Sequence, residues 1–244
     1  MARQRTIPPA HQNRLLLLLP RATQERLLPQ FDTVSFGIKD ILYEPNVPIE
    51  YVYFPLNGVM SLVSILKNGS HIEVATTGNE GMLGLPVFLG RDSTPLQAFS
   101  QVPGDSLRMK VSAFKRHVKA EPSLTAVLQR YTQAMMVQIA QSTACNRAHS
   151  IQQRCCRWLL MTHDRVSSDD FLLTQEFLAQ MLGVRRATVS EVAGELQRAG
   201  LIQYSRGRVT VTDRHALERC ACECYGIIRD EYDRLFAGHR IAAD

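Results

Sequence analysis

The run from Leu173 to Leu196 restricts this chain most. Thr174 is a good N-cap, and Leu178, Met181 and Leu182 follow at helical spacing. Gly183 can take a positive φ at little cost and so ends that helix. Val189, Val192, Ala193 and Leu196 then recur at i, i+3, i+4 and i+7, the apolar stripe of a second helix. The opposite face carries Ala187, Ser190, Glu191 and Gly194, with Arg186 and Thr188 beside its first turn. Two short helices that hold one polar face outward form a helix-turn-helix. Directly after it, Leu201–Tyr204 and Val209–Thr212 read as short strands around Ser205-Arg206-Gly207-Arg208. A hairpin with a glycine turn and two arginines at its tip reads as a wing laid on a phosphate backbone. A helical hairpin buried in some larger fold is the plainer reading, and the wing argues against it.

The 244 residues suffice for one large or two ordinary domains, and 45% hydrophobic content supports a proper core. The net charge of +5 and pI near 9.0 suit a polyanion. Arg147, Arg154, Arg157, Arg165, Arg185, Arg186, Arg198, Arg206, Arg208 and Arg214 concentrate that charge in the C-terminal part. A guanidinium donates two bonds at once to a phosphate or a guanine. Leu15–Leu19 is too short to cross a bilayer, which takes about 20 apolar residues, and no leader is evident. No membrane partner is expected. Cys145, Cys155, Cys156, Cys220, Cys222 and Cys224 then read as reduced thiols of a cytoplasmic protein. No pair has C-x-x-C spacing, and Cys220, Cys222 and Cys224 on one helix would splay apart, so no metal site is expected.

Along the chain, residues 1–29 look helical, from Asn13 to Leu19 and from Thr23 to Leu28 with Thr23 as cap. Strand-rich runs follow at Glu50–Phe54, Gly58–Leu66, His71–Thr76, Leu96–Val102 and Ser106–Val111. Asn68-Gly69 is a strong hairpin signal. The fold class is therefore α+β: an N-terminal antiparallel β-roll, jelly-roll-like, a long helix and a C-terminal winged helix-turn-helix. The long helix opens at Glu121-Pro122, where proline is tolerated. Leu124, Leu128, Tyr131, Met135, Gln138, Ser142 and Cys145 form a heptad seam. It suits a helix packed on its own roll or a two-chain seam. The latter is favoured, because a DNA reader with one short helix gains from a second half-site. Asn146–Ser150 reads as a hinge, and Ile151, Cys155, Trp158, Leu159 and Thr162 mark the next helix, with Trp158 in the core. Asp213 caps a final helix from Ala216 to about Phe236. The expected domains are 1–120, the roll; 121–146, the dimerisation helix and hinge; and 147–244, the winged helix-turn-helix.

This order of parts, with Leu173-Thr174, Leu178-Ala179, Leu182-Gly183-Val184, Arg186 and Thr188-Val189 at their spacings, resembles the Crp–Fnr family of bacterial transcription regulators. The resemblance covers nearly the whole chain and is sharpest from Thr174 to Ile202. It implies a cyclic-nucleotide-binding-like roll and a homodimer on a two-fold symmetric operator, with double-stranded DNA and RNA polymerase as partners and no enzymatic activity. Glu80, Gly81, Met82, Leu83 and Gly84 fall where the family's effector cassette lies.

The chain departs from the cyclic-AMP-binding members. Their ribose-binding glutamate aligns with Met82, and their phosphate-binding arginine falls near Leu96-Gln97-Ala98. A buried phosphate without a cation is costly, so no cyclic nucleotide is expected in the usual mode. Arg91 sits nearby on a loop and is not moved into that role. The N-terminal cysteines of the oxygen-sensing members are absent, which closes that route. Haem stays open through His71 or His117, which are otherwise ordinary histidines; no cofactor is assigned. In the recognition helix, Arg186, Ala187, Ser190 and Glu191 are the base-reading candidates. Arg186 would donate to a guanine, Glu191 accept from a cytosine and Ala187 admit a thymine methyl. Thr174, Arg185, Thr188, Arg206 and Arg208 are the phosphate candidates. Two other readings fit parts of the chain: an effector- or partner-binding roll whose winged helix contacts protein, and a cupin-type metalloenzyme. For the latter His71-x-Glu73 is the only same-face pair in the strands, and a barrel site needs several such ligands.

Overall fold

A computed structural model of the chain describes residues 13–166 and 168–237. The part of the expected N-terminal helical segment before residue 13 lies outside them. Two short helices come first, α1 (Arg14–Leu17) and α2 (Arg21–Leu27). The buried Asn13 accepts from the Leu16 N–H and donates to the carbonyls of Pro55 (2.8 Å) and Gly81 (3.0 Å), which ties α1 to the roll. Thr23 is not a cap. Pro20 stands at the N-cap of α2, and Thr23 lies buried within the helix with its hydroxyl 3.2 Å from Glu121 Oε2.

The roll is built from β1 (Asp32–Phe36), β2 (Ile41–Tyr43), β3 (Tyr51–Pro55), β4 (Val59–Ile65), β5 (His71–Thr77), β6 (Leu96–Val102) and β7 (Gly104–Lys110). A short helix α3 (Leu85–Phe88) links β5 to β6. All strand pairings are antiparallel, in one sheet ordered β1-β7-β3 and another ordered β2-β6-β4-β5. The expected strands are all present, with β1 and β2 in addition. Gly69, at φ +79°, closes the β4–β5 hairpin as its Asn-Gly pair required. Val52, Phe54, Met60, Val63, Leu107 and Met109 are buried in the roll, each removed from water for about 1.5–3 kcal/mol.

After α4 (Val111–Ala120) comes the 27-residue helix α5 (Pro122–Ala148). The heptad seam lies here, but it faces its own chain. Leu124, Leu128, Tyr131, Met135, Gln138, Ser142 and Cys145 are all buried. Tyr131 donates its hydroxyl to the Met82 carbonyl at 2.9 Å, and Gln138 Nε2 donates to the Thr76 carbonyl at 2.9 Å. These residues have no surface left to give a second chain, so their assignment to a dimer interface is corrected. A heptad records an apolar stripe and does not say what the stripe meets.

The helix continues to Ala148, so only His149 and Ser150 break it before α6 (Ile151–His163). Ser150 and Gln153 cap α6 reciprocally. The C-terminal unit adds β8 (Asp170–Leu172), α7 (Gln175–Leu182), α8 (Arg186–Arg198), β9 (Ile202–Ser205) and β10 (Arg208–Val211), with strand order β8-β10-β9. The expected single final helix is two, α9 (Arg214–Cys220), capped by Asp213, and α10 (Glu223–Ala237). Extended backbone at Ala221 interrupts them, so Cys220 does not share a helix with Cys222 and Cys224.

This unit is docked on the roll. Phe177 of α7 meets Phe99 of β6 edge-on at 6.0 Å. Trp158 donates to Glu73 at 2.8 Å, and Gln101 Nε2 donates to the Thr162 hydroxyl at 3.1 Å. Arg165 and Glu80, both buried, pair across the same boundary at 2.8 Å.

Candidate nucleic-acid interface

The helix-turn-helix assembles as its residues require. Thr174 accepts from the Phe177 N–H at 3.1 Å, and Gly183 ends α7 at φ +65° in the left-handed region. Leu178, Met181, Leu182, Val189, Val192 and Leu196 are buried between the two helices and α6. That packing holds α8 with its other face outward. Arg186, Ala187 and Glu191 are exposed on it, beside Arg185. Among the described residues Arg185 and Arg186 have no acidic partner. No side chain caps α8, so its first-turn N–H groups and the positive end of its dipole are open to an anion.

Ser190 behaves differently from its three fellow base-reading candidates. Its hydroxyl is 2.6 Å from Gln175 Oε1 and 3.0 Å from the Arg186 carbonyl. Its single hydrogen is thus spent inside the protein, and Ser190 joins α8 to the start of α7. Thr188 is half-buried beside Arg185, and Thr174 is exposed at the head of α7.

The wing forms at the expected place. Arg206 at φ +49° and Gly207 at φ +75° make the two-residue turn between β9 and β10, a primed turn that suits strand twist. Tyr204 donates to the Leu173 carbonyl, which ties the wing to the helix-turn-helix. Arg206 is exposed, with no acidic partner among the described residues. Arg208 is bonded to Asp170 on the neighbouring strand, so part of its charge is already answered. The wider arginine cluster shrinks in the same way. Arg154, Arg157 and Arg165 are buried, and Arg214 pairs with Asp164 and Glu218. Arg147 and Arg198 stay exposed elsewhere, and at the helix-turn-helix the available cations are Arg185, Arg186 and the wing tip, with a cleft of about 590 Å³ separating Arg185 and Arg186 from the β4–β5 hairpin at Gly69–Ile72.

The stretch Glu80–Gly84, where an effector cassette is expected, packs against the protein itself. Glu80 is paired with Arg165 and accepts from the Gly78 N–H at 3.1 Å. A Cβ on Gly81 would lie 2.5 Å from the Tyr131 hydroxyl, so nothing larger fits there. Met82 is buried, Leu83 bridges to Tyr53, and Gly84 at φ +94° leads into α3. The cavity beneath holds about 150 Å³ and is lined by such residues as Tyr43, Leu62, Met82, Leu83, Met135 and Ile139, with no charged side chain among the described residues. Burial pushes the Tyr43 hydroxyl far above its usual range. At the position of a phosphate-binding cation, Gln97 instead donates to Glu44 at 2.7 Å, and Arg91 is exposed. His71 opens β5 at the rim of the cleft, and His117 lies on α4, where burial lowers its pKa.

One group escaped the sequence reading as part of the domain boundary. Glu73 accepts from Trp158 and is 2.8 Å from the Ser61 hydroxyl. Burial pushes its carboxyl up to about 7, the contacts with Ser61 and Trp158 offsetting part of the rise. The only hint in the sequence was an acid inside a β-branched strand.

Residues 153–220 match the Crp-like helix-turn-helix domain. The chain is 27% identical over 222 residues to the global nitrogen regulator of Synechococcus elongatus, covering 86% of this chain and 98% of that one. Among solved structures it resembles FixK2 from Bradyrhizobium japonicum, with a TM-score of 0.68 at 17% identity over 79% of this chain and 98% of that one. It also resembles TTHB099, a CRP-family transcriptional regulator from Thermus thermophilus, with a TM-score of 0.64 at 21% identity over 77% of this chain and 96% of that one. At these identities the structural likeness is one of fold.

Proposed function

We propose that the chain is a transcription regulator of the Crp–Fnr type that acts as a homodimer reading a two-fold symmetric DNA operator, a reading supported by its Crp-like helix-turn-helix domain and its fold. One observation carries the reading: the exposed, acid-free Arg185–Arg186 edge at the head of α8, with Arg206 at the wing tip. Arg186 donates its fork to guanine O6 and N7, Glu191 accepts from a cytosine, and Ala187 leaves room for a thymine methyl. Arg185, Arg206, Thr188, Thr174 and the α8 N–H groups bind phosphates, which set register without reading sequence. Arg208 helps only so far as Asp170 releases it. Ser190 positions α8.

The dimer forms through the face of α5 turned away from the roll. Gln129, Gln133, Met136, Ala140 and Thr143 are exposed there at alternating steps of four and three, and the helix's only charged residues are Arg130 and Arg147. Met136 is 61% exposed. A solvated helix face normally carries charge; this one suits a second copy of itself. The roll works without a cyclic nucleotide in the usual mode, since its cavity holds no cation for a phosphate. RNA polymerase contact follows if the dimer acts at promoters, and a regulator that reads promoter DNA acts in the cytoplasm.

Selection of bound duplexes from a random pool, with no additive, tests this directly. It should return an inverted repeat, and affinity should fall steeply with salt, because releasing counterions into a more concentrated solution gains less free energy. Replacing Arg186 with alanine should cost about 1–3 kcal/mol and relax one base position per half-site, while Arg206→Ala weakens all sequences alike. Salt-insensitive binding, or a uniform loss from Arg186→Ala, would refute the assignment.

A further inference from the structure

Three cysteines and a histidine that lie far apart in the chain meet where α5 ends. Cys145 is in the last turn of α5 and His149 is its C-cap residue. Cys222 immediately precedes α10, and Cys224 is in its first turn. One ligand atom from each of the four lies within 4.8 Å of all the others. Cys145 Sγ is 3.5 Å from Cys222 Sγ, and Cys224 Sγ is 3.5 Å from His149 Nδ1. A tetrahedral zinc, with bonds of about 2.3 Å to sulfur and 2.0 Å to nitrogen, sets its ligand atoms about 3.5–3.8 Å apart. The three cysteines are buried together, apart from the main core. An iron–sulfur cluster spreads its four ligands over two or more irons and so needs part of the set more widely separated than one ion does.

The surroundings are those of a metal site as well. The other ring nitrogen of His149, Nε2, is 3.2 Å from Glu223 Oε2, the carboxylate–histidine pairing that turns the imidazole toward a metal. Gln141 Nε2 donates to Cys224 Sγ at 3.2 Å, a bond suited to a thiolate. Arg157 is buried, has no salt bridge among the described residues, and is near enough to act on the charge of Cys145. Three thiolates and a zinc ion carry one net negative charge, which that cation offsets.

We propose that Cys145, His149, Cys222 and Cys224 bind a single zinc ion that fastens the end of α5 to the start of α10. The metal spans the break at His149–Ser150 and so sets how the C-terminal unit sits on the long helix. Glu223 is a positioning residue for His149. Metal binding does not depend on the DNA reading above, so either can fail alone.

The full chain, purified with a thiol reductant and without chelator, should carry about one zinc per chain. Cys145→Ser and Cys224→Ser should remove it, while Cys220→Ser, outside the cluster, should keep it. Because a cysteine variant that misfolds would also lose metal, the wild-type chain is stripped, shown to be folded by circular dichroism and titrated with Co²⁺. It should saturate at about one equivalent with the visible bands of a tetrahedral cobalt thiolate. Glu223→Gln should weaken zinc by about 10–100-fold in chelator competition. Equal zinc in wild type and Cys145→Ser, no saturable tetrahedral cobalt spectrum, or iron with acid-labile sulfide in place of zinc would overturn the proposal.

Discussion

Glu73→Gln should make the protein more stable above neutral pH and leave it unchanged in mild acid. Glu73 sits where the roll meets the C-terminal unit. Its Oε1 accepts from Trp158 at 2.8 Å, and its Oε2 is 2.8 Å from the Ser61 hydroxyl, which is in turn 2.7 Å from Gln101 Oε1. Ser61 has one hydrogen. If it goes to Gln101, Glu73 must be the donor to Ser61, which requires a protonated carboxyl. Burial favours the same form, raising the pKa from 4.5 to about 7. The folded chain therefore holds a proton that the unfolded chain sheds above about pH 4.5. The stabilisation is whole below that pH and is lost as pH climbs through about 7. Each tenfold change in proton affinity is worth about 1.4 kcal/mol, so the full loss is about 3 kcal/mol. That is an upper bound, because Glu73 keeps some surface in water. Glutamine can accept from Trp158 and donate to Ser61 without ionising. Urea unfolding followed by the fluorescence of Trp158, the sole tryptophan, reads this boundary directly. Wild type and Glu73→Gln should coincide at about pH 4.5, and the variant should gain up to about 3 kcal/mol at about pH 8. Parallel pH profiles, or a variant weaker than wild type at the higher pH, would refute the reasoning.

Other outcomes follow from the same contacts. Arg165→Ala leaves Glu80 buried without its partner and should destabilise the chain by about 3–5 kcal/mol in denaturant melts; adding Glu80→Gln should recover part of that loss. Ser190→Ala should cost about 1 kcal/mol of stability and leave the selected operator unchanged, where a base-reading serine would alter it. Met136→Glu, on the exposed face of α5, should yield monomers in light scattering, whereas the same change at a position facing the roll should unfold the chain.

Much of the C-terminal unit could be read from residues close together in the chain. The cap at Thr174, the stop at Gly183, the stripe from Val189 to Leu196 and the Arg206-Gly207 turn each act within a few residues, and each forms as its chemistry requires. So do the hairpin at Gly69 and the long helix after Pro122. The packing of the stretch from Glu80 to Gly84 against Tyr131 and Arg165 was not legible in the sequence.

What a stripe or a cysteine meets was hidden, because that depends on pieces distant in sequence. The seam from Leu124 to Cys145 had the right period and the wrong neighbour: the roll and α10 cover it, and Met136 faces out instead. The Asp170 bond that holds Arg208 joins strands separated by the whole helix-turn-helix. Cys145 and Cys222 stand 77 residues apart and touch only because α9 breaks at Ala221 and α10 lies along α5. Local backbone preferences choose the elements; burial and ion pairing choose their partners, and those forces act across space without regard to chain order.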